Sequence, residues 1–482
     1  LTSTLRYDRS SKFAPKNRAG WFPSAALAWR VTEEDFMKNA TTIDNLKLRL
    51  GWGLVGNQNI PDNYAWLATY ATSTTNWGSG LIAANTPNED LTWESTSSSN
   101  IGVDLSLFKG RIEFIADAYH KKTNNLLLQA SLPAYVGTSG QGSSSRPWVN
   151  LGSLENKGFE FTLNTVNIDR KQFQWRSNVV FTLNRNKVLS INTQTGDDVR
   201  SIEDSSWGAT GYTIINRTVV GQPIGQFYGY QIIGRFEKAT DFYYKDENGN
   251  VKPMPVMSGL TIDEQNGLWI GDYIYKDQNK DGIIDQKDRT FIGNPEPKFT
   301  YGIGNTFLIG NVDLTIFLTG VYGNDVVNYA RRYMGNPRRN ISNLFSYAVN
   351  YAKTDLIDPN GPNDYRNVKI VGGDWNMCRL PLSTATSDYD FAFSDRFIED
   401  GSYLRIQNIS LGYTFPRKLI SSTGLSDLKV YANIQNAYTF TKYTGYDPEV
   451  GISYSGGNQL MGVDNGRYPS PIIYTIGLNV SF

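Results

Sequence analysis

Cysteine and histidine are almost missing from this sequence: Cys378 and His120 are the only examples in 482 residues. One thiol excludes a disulfide scaffold and a structural zinc site. One imidazole removes multi-histidine metal sites and most of the ground for histidine-based triads. Excess charge is missing too, with 46 Lys and Arg against 46 Asp and Glu and a pI near 6.8. A general nucleic-acid binder would show a basic surplus. No apolar run approaches the length of a membrane-spanning helix, and mean hydropathy is −0.40. Those absences leave one lipid-facing class standing, because strands of a membrane barrel dilute apolar residues one to one with polar ones.

Aromatic side chains are abundant: 11 Trp, 29 Tyr and 23 Phe make 13% of the chain, while charged residues make only 19%. That balance is unusual for a soluble enzyme of this size. The dominant pattern is alternation with period two, which puts successive side chains on opposite faces of a strand. At the end of the chain Ile472, Tyr474, Ile476, Leu478, Val480 and Phe482 share one face, against Ile473, Thr475, Gly477, Asn479 and Ser481. The same alternation runs through Ile101–Leu107, Ile112–Ala118, Val312–Leu318, Ile409–Phe415 and Leu428–Ile434, and more weakly near 1–8, 20–30, 45–53, 158–166, 173–184 and 298–307.

A soluble β-sandwich with one wet face is the default reading of such alternation. Two features argue against it. The polar face is small and neutral (Gly, Ser, Thr, Asn) rather than rich in Lys and Glu, as suits a water-filled barrel interior. The connectors are also unequal and alternate: short near 108–110, 166–172, 308–311 and 416–427, long near 54–95, 120–152, 190–297, 324–400 and 438–470. Outer-membrane barrels have short periplasmic turns and long extracellular loops. The parity requires Phe227–Ile233 to lie in an extracellular excursion rather than span the membrane. The reading is therefore an all-β, antiparallel transmembrane barrel wall of about twelve strands covering 1–482, ending with its C-terminus in the periplasm. A connector at 31–44 with Glu33, Glu34, Asp35, Phe36 and Met37 reads as a periplasmic turn with a little helix. Leu1 opens directly into alternation, so the expectation is the C-terminal portion of a larger barrel.

The sharpest local motif is Asp277-Gln-Asn279-Lys-Asp281-Gly282-Ile283-Ile-Asp285-Gln-Lys-Asp288. Oxygen-bearing side chains stand at positions 1, 3, 5, 9 and 12, Gly stands at 6, and Ile283 at 7 would offer its carbonyl. Calcium takes six to eight hard oxygen ligands, and Gly at position 6 permits the turn that wraps them. Asp rather than Glu at position 12 shortens the reach. The expected cofactor is a structural Ca2+ held by Asp277, Asn279, Asp281, Ile283, Asp285 and Asp288; the bland alternative is an Asx-rich loop without metal. Lys245–Asn250 is too loosely spaced for a second site.

Phe482 closes an amphipathic strand, as does the signal read by the outer-membrane barrel-insertion machinery, although a last core strand could also end on Phe. Long connectors carry Tyr64, Trp66, Tyr70, Trp77, Trp148, Trp207, Tyr212, Trp269, Trp375, Tyr443 and Tyr446. Flat rings suit sugar stacking and protein contact equally, and loop packing accounts for many of them. His120 reads as a rim hydrogen-bonding residue and Cys378 as a packed free thiol. Glu33/Glu34 and Asp197/Asp198 are turn carboxylates with no cleft behind them. No nucleophile elbow, P-loop or zinc motif is present, so the sequence does not read as an enzyme.

Several longer stretches carry a family resemblance. Gly271-Asp272 leads into the calcium-like loop and then Asp288-Arg-Thr-Phe-Ile-Gly293-Asn-Pro-Glu-Pro-Lys298-Phe-Thr-Tyr-Gly. With it come Leu91-Thr-Trp-Glu94, Asn156-Lys-Gly158-Phe-Glu160, Gly221-Gln-Pro223-Ile-Gly225-Gln-Phe-Tyr-Gly229, Phe397-Ile-Glu-Asp400-Gly-Ser-Tyr403-Leu-Arg405-Ile and the aromatic end Phe482. From about residue 20 onward the sequence resembles the SusC/RagA family of TonB-dependent outer-membrane transporters. The resemblance implies a 22-stranded barrel with a plugged lumen, of which this chain is the C-terminal part, without the plug domain and TonB box. It also implies active import of large nutrients, most often oligosaccharides, and in the RagA branch peptides. The implied partners are a SusD-like lid lipoprotein, docked on the 190–297 and 324–400 loops, and TonB-ExbB-ExbD acting through the plug region. Pairing of two transporter–lipoprotein units is the implied assembly. A passive porin or surface adhesin is the competing class.

Overall fold

The computed structural model describes residues 1–129, 144–191, 202–205, 214–336, 343–375, 377–380, 388–455 and 458–482. The alternating segments become twelve strands: β1 (Thr2–Arg9), β2 (Ala19–Arg30), β3 (Ile43–Asn57), β4 (Glu94–Leu107), β5 (Ile112–Asn124), β6 (Ser153–Arg170), β7 (Phe173–Ser190), β8 (Phe299–Ile309), β9 (Val312–Tyr322), β10 (Tyr403–Thr414), β11 (Asp427–Thr441) and β12 (Ile473–Ser481). They pair in chain order as one antiparallel sheet, the meander of an up-and-down barrel wall. The expected strand number is met. No helix among the described residues is long and apolar enough to cross a membrane.

Register makes the two faces explicit. One cross-strand row reads Leu27, Leu50, Ile101, Ala118, Phe159 and Leu183. Leu50 and Ile101 are 50% and 59% exposed, so this apolar face is not the inside of a soluble core. It carries an aromatic ladder across β5 to β9, with ring centroids 6.0 Å apart for Phe114–Phe161, 5.2 Å for Phe161–Phe181, 5.3 Å for Phe181–Phe299 and 5.0 Å for Phe299–Tyr322. Nearer the short turns Trp175 stacks on Phe307 at 5.8 Å.

One residue along, the opposite face reads Arg49, Gly102, Asp117, Glu160, Thr182 and Thr300. Charges there are paired. Arg49 forks onto both oxygens of Asp117 at 2.9 Å and gives its Nε–H to Asp104 at 2.9 Å; Lys429 meets Asp313 at 2.7 Å. Such a face suits a wet lumen.

Connector parity appears with one exception. Turns at 31–42, 108–111, 171–172, 310–311 and 415–426 lie on one side of the sheet, and excursions at 58–93, 125–152, 191–298, 323–402 and 442–472 on the other. Residues 10–18 join β1 to β2 on the long-loop side yet stay short. The 310–311 turn is tight because Gly310 takes φ +59°. The helical content expected at 31–44 is two single turns, Val31–Glu33 and Asp35–Met37. The segment Phe227–Ile233 lies inside the 191–298 excursion, where Gln226–Gly229 pairs with Thr290–Gly293 rather than with the wall.

Candidate functional site at the long-loop mouth

The excursions 191–298, 323–402 and 442–472 are rich in apolar residues that the wall has no room to bury. They bury them against one another. Ile215, Phe227 and Tyr273 from the first, Val327, Tyr329, Phe393 and Phe397 from the second, and Val463 from the third form one core, each at most 3% exposed. A three-stranded sheet stitches the last two excursions together: Asp325–Asn328 pairs antiparallel with Ile398–Asp400 and parallel with Val463–Asp464. A second core lies deeper in the first excursion, around Phe236, Phe242, Leu268, Ile270 and Tyr275, and takes in Val368 and Tyr389 of the second. The result is a folded cap over one mouth of the wall.

Two buried polar knots fix the cap. Arg405, at the long-loop end of β10 and only 3% exposed, gives Nη2–H to Asp447, Nη1–H to Glu449 and Nε–H to Thr439 at 2.9 Å. That ties the 442–472 excursion to the wall. The second knot joins the other two excursions. Arg379 gives Nε–H to Asp272 Oδ1 at 2.7 Å and its remaining donors to the carbonyls of Glu264 and Gly267. Asp272 also accepts from the Trp269 amide at 2.8 Å, and Asp390 accepts from the Tyr273 amide at 3.3 Å. Asp272 and Asp390 are both fully buried, and Asp390 Oδ2 has no hydrogen-bond partner among the described residues. Burial pushes both carboxyls up, Asp390 far above its ordinary range, with the Asp272 charge adding to the shift and Arg379 opposing it. Two buried carboxyls whose charges raise each other's pKa disfavour ionising together.

Cys378 is a free thiol buried in this core. Burial raises its pKa well above the usual value, so it packs as a small apolar group and is not a nucleophile. His120 stands near the long-loop end of β5, with Nε2 3.2 Å from Glu155. The loop aromatics separate into classes. Trp269 and Tyr443 are buried, while Tyr64, Tyr70, Trp77, Trp375 and Tyr446 are exposed. Trp66 and Trp148 are half-buried; Trp207 and Tyr212 lie outside the described residues. Tyr446, with Phe345, Tyr347, Met377 and Arg331, lines a cavity of about 390 Å³ between the second and third excursions.

The calcium-like loop is exposed on the first excursion. Asp277 accepts from the amides of Lys280 at 2.6 Å and Gly282 at 2.8 Å, and Asp281 accepts from the amide of Ile283 at 3.0 Å. Asn279 donates to Asp281 at 2.8 Å, and Asp285 accepts from the Lys287 amide at 2.7 Å. Asp288 is fully buried and accepts from the amides of Gln278 and Asp285. Lys280 and Gly282 take positive φ, giving the turn this spacing requires. Asp277, Asn279 and Asp281 thus gather on one exposed turn, Ile283 and Asp285 follow it, and Asp288 turns into the base. Among the described residues no group of three or more His, Cys, Asp and Glu side chains lies close enough to hold a metal.

Sequence reasoning named Arg405 only as part of a family motif and did not single out Arg379 or Asp390. Arg405 had a signal, a lone cation at the end of an otherwise apolar and neutral strand. Arg379 and Asp390 had none, since their partners lie more than a hundred positions away.

Comparison with known proteins assigns this arrangement. The family described as TonB dependent receptor-like, beta-barrel matches residues 1–274, more than half of the chain. The chain belongs to that family. TonB-dependent receptor P3 of Formosa agariphila is 32% identical over all of this chain and 44% of its own length. TonB-dependent receptor SusC of Bacteroides thetaiotaomicron is 30% identical over all of this chain and 42% of its own. Among solved structures, the RagAB peptide transporter superposes with a TM-score of 0.73 at 21% identity, covering all of this chain and 45% of that one. The receptor barrel is thus SusC/RagA-like and of outer-membrane type, and the chain spans less than half the length of the curated relatives it matches.

Proposed function

We propose that the receptor barrel forms wall and mouth of a TonB-dependent importer of large nutrients, with oligosaccharides as the substrate class. The observation that carries this reading is the cap: three long excursions sharing one core, with the Trp375 and Tyr446 rings exposed on it. Exposed flat rings beside fixed polar groups suit the faces and hydroxyls of sugar rings. The long-loop side then faces the exterior, the C-terminus lies in the periplasm, and a SusD-like lipoprotein closes on the cap. TonB-ExbB-ExbD supplies the energy. Peptides are the second reading, favoured by the likeness to a structure described as a peptide transporter.

Uptake by cells carrying the full-length protein tests this. Labelled oligosaccharides are expected to enter only while TonB is present, and extended peptides are not expected to enter. TonB-dependent entry of peptides alone would favour the second reading. Entry that ignores TonB would mean a passive porin.

For the loop Asp277–Asp288 we propose a structural calcium ion held by Asp277, Asn279, Asp281, the Ile283 carbonyl, Asp285 and Asp288. The support is the spacing together with the Gly282 turn. Calorimetric titration of the purified protein with Ca2+ is expected to give one site that Asp277→Asn/Asp281→Asn abolishes. Equal heats in wild type and variant would reject it.

A further inference from the structure

The pairing registers place a group of basic residues that no reading of transport uses. Above the apolar row Ala118–Phe159–Leu183, toward the long loops, the next row on the same face is Ser99, His120, Lys157 and Arg185. The row beyond it is Ser97, Lys122, Glu155 and Lys187. Three neighbouring strands, β5 to β7, thus present four fixed cations and one histidine on the apolar side of the wall.

Only one carboxylate lies among them. Glu155 is shared by His120 Nε2 at 3.2 Å and Lys157 Nζ at 3.6 Å. Lys122 and Lys187 are exposed and form no ion pair among the described residues. Arg185 donates to the carbonyls of Asn184 and Pro297 and forms no ion pair among the described residues. The patch therefore keeps a surplus of positive charge.

Its height decides what it meets. Each row is two residues further along the strand, a rise of roughly 7 Å. The cations thus stand roughly 7–14 Å above the Phe159 row and its aromatic ladder. A bilayer's headgroup zone adds roughly 5–8 Å on each side of its hydrocarbon core. Long lysine stems reach along the wall while their ammonium groups stay at headgroup level. Bulk water begins higher, among the folded excursions.

We infer that this face of β5 to β7 is a binding site for a phosphate-bearing lipid headgroup of the outer leaflet, its acyl chains lying on the Phe114–Phe161–Phe181 ladder. Continuity of the cations with the apolar face selects a lipid over a soluble anion, which would gain nothing from the ladder. The inference rests on the long-loop side facing outward, as proposed above.

Native mass spectrometry of the full-length protein tests it, with phosphorylated lipid A, the same lipid dephosphorylated, and inorganic phosphate as probes. Phosphorylated lipid A is expected to form a one-to-one adduct, weakened roughly a hundredfold in Lys122→Gln/Lys157→Gln/Lys187→Gln. The dephosphorylated lipid should bind wild type as weakly. Equal binding by variant and wild type, or by both lipids, overturns the site. So does displacement by equimolar inorganic phosphate, which would make it a free-anion site, or loss of the lid lipoprotein from the variant while lipid is retained, which would make it a protein contact. The lipid comparison on wild type stands even where the variant folds poorly. Heat-modifiable gel mobility separates the two readings: a protein without it fails as a membrane barrel, whereas a folded barrel indifferent to the lipids overturns only this site.

Discussion

Arg405 and Asp447 are 3% and 8% exposed at the junction of wall and cap. Breaking such a pair leaves a charge without water or partner, at a cost of roughly 3–5 kcal/mol. Glu449 remains beside Arg405, so Asp447→Ala is expected at the low end, about 3 kcal/mol. Limited proteolysis would show it as new cleavage confined to 442–472. Burial works against the Asp447 charge, but the Ser470 and Glu449 amides and Arg405 outweigh it and hold the carboxyl below its ordinary range. Its stabilisation is therefore complete above the unfolded Asp value of about 3.9 and is lost as pH falls through the folded value. Asp390 has the opposite sign. Its raised carboxyl keeps a proton in the fold that the unfolded chain releases near pH 3.9, so stability declines as pH rises from there toward the folded value. Asp390→Asn should flatten that decline, because the amide oxygen still accepts from Tyr273 and the side chain no longer titrates. Hydrogen exchange of 268–275 and 388–397 between pH 4 and 9 measures it, and an unchanged slope would show that Asp390 does not hold that proton.

Strands were the most legible elements, because a one-residue slip would turn every apolar side chain to the wrong face. Ile472–Phe482 and Val312–Leu318 needed nothing beyond alternation. The wall also contains features that alternation cannot reveal. A Cβ built on Gly320 of β9 meets the ring of Tyr301, its cross-strand partner on β8. That ring occupies the space a side chain would need, so Gly320→Val is expected to cost about 1–3 kcal/mol through overpacking. The fraction folded after detergent refolding, read by heat-modifiable mobility, should fall accordingly. At Gly80, in the Gly78–Ala83 strand of the 58–93 excursion, a Cβ meets only the Ser73 carbonyl at 4.0 Å, so Gly80→Val should leave mobility unchanged. The basic rows of β5 to β7 were equally hidden. Lys122, Lys157 and Lys187 are scattered in sequence and become neighbours only once register is known.

At the scale of the molecule, wall and cap differ in how far their contacts reach along the chain. Neighbouring strands pair across short turns, whereas Asn216 donates to the carbonyl of Met461, 245 positions away. Loops that read as unequal connectors turned out to share one core, and no local pattern marks Val327 and Val463 as partners. Contacts of long sequence separation form late, after the entropy of closing large loops is overcome. Pulse-labelled hydrogen exchange during refolding should protect β8–β9 before Val327 and Val463, and simultaneous protection would contradict that order. Interlocking also bears on inheritance. Asp325–Asn328 is the middle strand of a sheet whose other two strands come from another part of its own excursion and from the third. A chimera taking only 323–402 from a relative should lose protease resistance across the whole cap, while one taking 191–298, 323–402 and 442–472 together should keep it. Substrate preference in such a barrel would then pass between lineages as a block of three excursions, not loop by loop.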